Sequence, residues 1–287
     1  MVHDGEGETL LYLSLARRLP EDLAVFALEP RRLARVPLAH ATIEAMAAFY
    51  IEELRKKQAH GPYLLAGLCA GGVIAYEMAW QLVRAGERID LLALLEAAAP
   101  QAAERPWRIA EQRLGRLKQT IADAQESAPA ALKRARLMAG VIGQKLVKAL
   151  LWEIVQRGQQ WWVQARFRLL REVLARELAW PRLVPELSVP QIYDCAQARY
   201  TPKPLSLVPV VLVRAQAGEG SDAPYRDIYA DETFGWKRVA DGVTYVDVDG
   251  GHSTMLQERY VDSLAKALEP YLQQCARPIG ECPRKVG

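Results

Sequence analysis

A chain of 287 residues, 51% hydrophobic and 25% charged, carries enough apolar material for a core of its own and is not disordered throughout. Its net charge of +3 is too small to argue for nucleic acid, and no uninterrupted apolar run approaches the roughly 20 residues that span a bilayer. Four cysteines, Cys69, Cys195, Cys275 and Cys282, show neither C-x-x-C spacing nor a neighbouring histidine pair, so they read as reduced thiols of a cytoplasmic protein with no metal site.

Met1-Val2-His3-Asp4 lacks the basic start and apolar stretch of a signal peptide. Met1 and Val2 read as the end of a first strand, as in a chain cut from a longer polypeptide. Thr9 to Leu19 is predicted helical, with Thr9 as N-cap. Leu23 to Leu28 is a short apolar run that reads as a buried strand. Ile43, Met46, Tyr50 and Leu54 recur at helical spacing, in a helix ending near His60. Tyr63–Ala66 is a strand. About Ala70 to Arg84 is a helix, stopped by Gly86. Ile89 to Leu95 is apolar without alternation, as in a parallel strand covered on both faces.

The next segment differs in kind. Between Gln101 and Trp180 there are 15 Lys/Arg against 7 Asp/Glu, a net of +8, so the flanks are net acidic. Trp107, Trp152, Trp161, Trp162 and Trp180, five of the seven tryptophans, lie in it. No strand pattern appears. Long helices are predicted over about Pro106–Asp123 and Ala130–Leu178, until Pro181, Pro185 and Pro190 break the pattern. Strands return at Val208–Val213 and Val243–Val248, and an amphipathic helix at about Gln257–Gln274 precedes a linker-like tail, Ala276–Gly287. Strand–helix alternation predicts an α/β fold, a mostly parallel sheet covered by helices on both faces. The division expected is one domain over 1–275, with core 1–100 and 190–275, a helical insertion at about 101–189, and a tail at 276–287.

Gly67-Leu68-Cys69-Ala70-Gly71-Gly72 follows one strand and opens a helix. This is a G-x-nucleophile-x-G elbow in the strand–turn–helix context that it requires. Small residues allow the sharp turn, and the helix N-terminus favours a thiolate and a developing oxyanion. His252, in Gly250-Gly251-His252 after a late strand, is placed to act as base and then as acid. Glu96, at the end of its strand, is one candidate partner for that imidazole. Glu219 and Asp222, after Val208–Val213, are the competing carboxylates. Glu96→Gln is expected to misorient the imidazole and leave the fold unchanged. His3 shapes the loop after the first strand, while His40 and His60 flank a helix and read as solvated. No metal and no bound cofactor is expected.

Three stretches, Tyr63–Gly72, Leu91–Ala98 and Gly250–Leu256, resemble the thioesterase domain that ends nonribosomal peptide and polyketide synthases, a family with the α/β-hydrolase fold. The resemblance spans nearly the whole chain. That family usually carries serine at the position of Cys69 and aspartate at that of Glu96. It implies a Cys69–His252–Glu96 triad and an oxyanion hole from the N–H groups of Ala70 and Gly5, with Asp4 next. It also makes the helical insertion a lid. The substrate is then an acyl or peptidyl chain delivered on phosphopantetheine by a carrier-protein domain, upstream in the same polypeptide. Release from Cys69 goes by hydrolysis or by cyclisation, including closure of a strained lactone or lactam. A stand-alone editing thioesterase and a non-catalytic ligand-binding module are the alternatives.

Overall fold

A computed structural model describes residues 1–105, 155 and 157–275. The chain divides into two compact units, one built from Met1–Glu104 and the chain from Val173 onward, the other from Arg105–Glu172. Four strands form the sheet of the first unit: β1 (Tyr63–Leu68), β2 (Ile89–Leu95), β3 (Val210–Ala215) and β4 (Val243–Val248), in that spatial order. Every pairing is parallel. Beyond β1, Val2 bridges both Gly67 and Leu28 in parallel.

The helices are α1 (Leu13–Ala16), α2 (Ile43–Lys57), α3 (Ala70–Arg84), α4 (157–175), α5 (Val189–Gln197), α6 (Tyr225–Ile228) and α7 (Val261–Cys275). α2 starts where Thr42 caps the Ala45 N–H. α5 starts with a reciprocal capping box between Ser188 and Gln191, which satisfies two otherwise orphaned donors. α7 buries Val261, Leu264 and Leu268, the i, i+3, i+7 stripe, each contributing about 1.5–3 kcal/mol by leaving water. That stripe packs with Leu91, Ala93, Leu95, Val211, Val213 and Val248 on one sheet face. α2 and α3 pack against each other, and α3 lies on β1 and β2. Leu92 and Leu94, alternating with the first set, are fully buried, and Leu94 points to Gly72 of α3. The sheet is therefore covered on both faces.

Three expectations are corrected. Leu23–Leu28 is not a strand: only Leu28 bridges, and Phe26 is half exposed, because a neighbouring backbone meets the segment only at its end, at Phe26 O and Leu28. Thr9–Leu19 is a three-residue 3-10 turn followed by the short α1, and the Thr9 hydroxyl bonds Glu29 instead of capping. His40 is not solvated: its ring stacks on Phe49 at 4.9 Å, and burial holds its pKa down at about 4. His60 is exposed beside Glu87. The helix predicted over Pro106–Asp123, Trp107, Trp152, Cys282 and the tail lie outside the described residues. In the second unit, Trp161 and Trp162 of α4 are exposed, and the Arg166 guanidinium lies over the Trp162 ring.

Candidate active site

Cys69, Glu96, Tyr225 and His252 all follow the C-terminal ends of strands β1 to β4, and Gly5 follows Val2, which pairs beside β1. A parallel sheet gathers such loops along one edge, which is where open α/β sheets bind ligands.

Cys69 sits between β1 and α3 with φ 51° and ψ −112°, a conformation that costs a non-glycine residue about 1–3 kcal/mol. Its surroundings hold it there. The Cys69 N–H donates to Leu95 O at 2.9 Å. The preceding Leu68 N–H donates to the Tyr12 hydroxyl, which itself donates to Val2 O, each at 2.8 Å. The glycines of the elbow answer to close approach. A Cβ on Gly67 would fall 2.2 Å from the backbone carbon of Gly71, and one on Gly71 would fall 2.3 Å from His3 O.

Glu96 also has a left-handed backbone, with φ 42°, and is fully buried. Its Oε1 accepts from the Ala215 N–H at 2.7 Å, and its Oε2 from the Tyr225 N–H at 2.8 Å. The same Oε2 faces His252 Nδ1 at 3.4 Å. A buried carboxylate is tolerable because backbone donors meet both oxygens. In Glu96→Gln one end of the amide would point N–H groups at a backbone N–H, so a stability cost is expected beside the loss of orientation.

The His252 ring stacks on Tyr225, centroids 4.4 Å apart at 29°. Burial works to lower its pKa, but hydrogen bonds to Cys69 and Glu96 and the charges of both outweigh that and raise it to about 9. An imidazole so placed is disposed to take up a proton.

Neither competing carboxylate meets the ring among the described residues. Asp222 instead braces the histidine loop. Its Oδ1 accepts from the Ser253 N–H at 2.7 Å, the Ser253 hydroxyl at 2.9 Å and the Thr254 N–H at 3.1 Å. Its Oδ2 accepts from the Thr254 hydroxyl at 2.6 Å, and its carbonyl from the His252 N–H at 2.9 Å. Burial opposes its ionisation, but these donors, the Thr254 hydroxyl foremost, hold the carboxyl below its ordinary pKa. A Cβ on Gly251 would fall 2.0 Å from Asp222 Oδ2, so glycine there makes room for the brace. Glu219 is exposed at the start of a 3-10 turn.

Gly5 lies against Ala70, a Cβ built on it falling 3.8 Å from the Ala70 Cβ. The Asp4 N–H is spent on Glu8 O, and the Asp4 side chain accepts from the N–H groups of Glu6 and Glu8. The N–H groups of Gly5 and Ala70 meet no acceptor among the described residues. His3 is buried, between Asp4 O and the Tyr50 hydroxyl, each at 2.6 Å.

Sequence reasoning missed Tyr225 and Tyr12. Tyr225 lies in the very loop searched for acids, but nothing in one sequence distinguishes a loop tyrosine that reaches the site. Tyr12 lies within the stretch predicted helical, where nothing marks an aromatic that braces a distant turn.

A thioesterase domain model matches residues 1–272. The chain belongs to the thioesterase domain family. Among curated relatives it is 27% identical over 285 residues to the non-reducing polyketide synthase atnG of an Arthrinium species, covering 96% of this chain and 12% of that protein. It is 38% identical over 102 residues to the non-reducing polyketide synthase Preu8 of Preussia isomera, covering 36% of this chain and 5% of that one. The chain thus spans a small fraction of these relatives' length. Its fold matches the NocB thioesterase domain in covalent complex with a fluorophosphonate nocardicin G analog, with TM-score 0.53 and 23% identity, covering 94% and 92% of the two chains. It also matches part of a four-domain nonribosomal peptide synthetase bound to AMP and glycine, with TM-score 0.56 and 22% identity, covering 96% of this chain and 19% of that one. The fold of this thioesterase domain is that of the α/β-hydrolases. No helix among the described residues is long and apolar enough to cross a membrane, and among them no group of His, Cys, Asp and Glu is arranged to hold a metal ion.

Proposed function

We propose that this thioesterase domain takes an acyl or peptidyl chain from a carrier-protein phosphopantetheine thioester onto Cys69 and releases it by cyclisation or hydrolysis. The observation that carries the reading is the convergence of the strained Cys69 elbow, the raised pKa of His252 and the buried Glu96 at one sheet edge. In this reading His252 takes the thiol proton. The thiolate attacks the substrate carbonyl, and the free N–H groups of Ala70 and Gly5 hold the oxyanion. The pantetheine sulfur leaves with the proton from His252. Water or a hydroxyl or amine of the chain itself then gives its proton to His252 and attacks the acyl group, and Cys69 leaves as thiolate. Glu96 fixes the imidazole tautomer and orientation. The partner is a carrier-protein domain, met by the basic segment at about 101–189, and the site needs no cofactor of its own.

Sulfur at position 69 favours ring closure. Transfer from one thioester to another keeps the acyl group activated, and a thiolate leaves more readily than the alkoxide of an oxoester, since a thiol of pKa about 8.5 is far more acidic than an alcohol. That activation matters most for an uphill closure, such as a strained lactone or lactam. The test is Cys69→Ser with a carrier-bound chain bearing an internal nucleophile. The expected serine variant acylates and then stalls, or yields free acid in place of the ring. Cyclic product at an undiminished rate from Cys69→Ser overturns the cyclisation reading. Absence of any Cys69-linked acyl intermediate from the unaltered protein overturns the thioesterase reading itself.

A further inference from the structure

We infer that Tyr225 is a further catalytic residue of this site: its hydroxyl donates to the Cys69 sulfur and stabilises it as thiolate, both before attack and as it leaves. The inference rests on the reading of Cys69 as the nucleophile, and it adds a group that the triad does not contain.

Tyr225 touches every member of the site by a different part of itself. Its hydroxyl lies 3.2 Å from Cys69 Sγ. Its ring stacks on the His252 imidazole at 4.4 Å. Its backbone N–H donates to Glu96 Oε2 at 2.8 Å. The ring is itself held from behind, edge-on to Tyr229 at 5.3 Å and to the fully buried Phe234 at 6.1 Å. The hydroxyl therefore reaches the sulfur from a fixed platform at the start of α6.

The direction of that hydrogen bond follows from the surroundings. Burial first, then the charge of Cys69, pushes the Tyr225 phenol far above its usual pKa. The phenol keeps its proton, so it can donate to the sulfur, and once the thiol proton has passed to His252 the sulfur can only accept. The other titratable groups whose charge bears on this corner are His252, Glu96, Tyr193 and Tyr229. The phenols of Tyr193 and Tyr229 are also pushed up by burial and stay neutral, which leaves His252 as the cation and Tyr225 as the neutral donor on sulfur. The stacked ring adds a face to the imidazolium, and a cation on an aromatic face is favourable.

A donor aimed at sulfur is worth most when sulfur carries charge. Sulfur is anionic once His252 has taken its proton, becomes a weak acceptor once it is part of a thioester, and regains charge as the tetrahedral intermediate collapses. Tyr225 therefore helps both in forming the nucleophile and in expelling it, keeping its own proton throughout. The thiol proton goes to His252 in the first step. In the last, the C–Sγ bond breaks while His252 holds the proton of the attacking water or internal nucleophile.

The test follows alkylation of Cys69 by iodoacetamide in the full chain across pH, read by mass spectrometry of the Cys69 peptide. A hydrogen bond to a charged acceptor changes the thiolate-to-thiol ratio about tenfold or more. In Tyr225→Phe the midpoint of the alkylation profile is expected to move up by about one pH unit. Replacing Tyr225 by a fluorinated tyrosine, a stronger donor of the same shape, is expected to move it down, which guards against a fault of folding in the first variant. On a thioester substrate, Tyr225→Phe is expected to lower kcat about tenfold with KM little changed. Alkylation profiles of both variants superimposing on that of the unaltered chain overturn the inference. Alkylation needs no substrate, so its result stands apart from whether an acyl-Cys69 intermediate forms.

Discussion

The nucleophile elbow and the histidine loop end a few ångströms apart but are built in opposite ways. Cys69 is positioned by its own stretch of chain, a strand, a glycine turn and a helix over residues 63–84. Outside help comes from single hydrogen bonds made by two adjacent backbone N–H groups, Leu68 to the Tyr12 hydroxyl and Cys69 to Leu95 O. His252 sits in a loop whose shape is imposed from far along the chain, by Asp222, by Glu96 and by the Tyr225 ring. In the proposed function a nucleophile must stay in a strained backbone whatever the substrate does, which suits a rigid local turn. In the same reading a base must reach the sulfur and later a second nucleophile, which suits a loop clamped at its backbone with its ring aimed by Glu96 and Tyr225.

Breaking the local side is expected to cost most. Gly67→Ala would drive a Cβ into the Gly71 backbone, where nothing flexible can yield. A loss of about 3 kcal/mol in urea unfolding is expected, with acyl transfer abolished. Unchanged stability would show that the elbow is looser than its packing.

Glu96→Gln comes next, because it strikes both regions at once. It disorients His252, lowering turnover on a thioester by about a hundredfold. That is less than the roughly 10⁴-fold of a serine triad, since a thiolate–imidazolium pair depends less on its third member. It also leaves one backbone donor, Ala215 or Tyr225, facing an amide, which is expected to lower stability by about 1–3 kcal/mol. Turnover that falls with unchanged unfolding would separate the two roles.

Asp222→Asn tests the remote brace alone. One amide oxygen can still accept, so about 1 kcal/mol of stability and about tenfold in turnover are expected to be lost. A greater loss than in Glu96→Gln would move the acid role to the later loop.

The pH dependence sharpens the same contrast. His252 is raised to about 9 in the folded chain against an unfolded value of about 6.5. Its stabilising contribution is therefore complete below pH 6.5 and is lost as pH rises through about 9. An imidazole titration followed by NMR should show the midpoint near 9, and Glu96→Gln should lower it.

The weakest effect concerns carrier docking. Surface charges are screened beyond about 8 Å at physiological salt. Turnover on a carrier-bound substrate should thus fall with added salt more than turnover on a small thioester.

Contiguous features were legible in the sequence. The G-x-C-x-G pattern needs only its neighbours to become an elbow, and β1, α3, β2 and β4 match their periodicity because strand and helix periods are local properties. It also placed Cys69, Glu96 and His252 at strand ends, which a parallel sheet necessarily gathers on one edge. Only the tertiary structure decided which carboxylate meets the imidazole. Glu96 and Asp222 both lie in loops at that edge, and the difference between them is a matter of ångströms set by where β2 and β3 sit side by side. It alone revealed Tyr225, whose role exists only because α6 starts on the carboxylate of Glu96. Leu23–Leu28 departs from expectation for the same cause: an apolar run becomes a strand only when a partner's backbone lies alongside it, and here that happens only at its end, at Phe26 and Leu28.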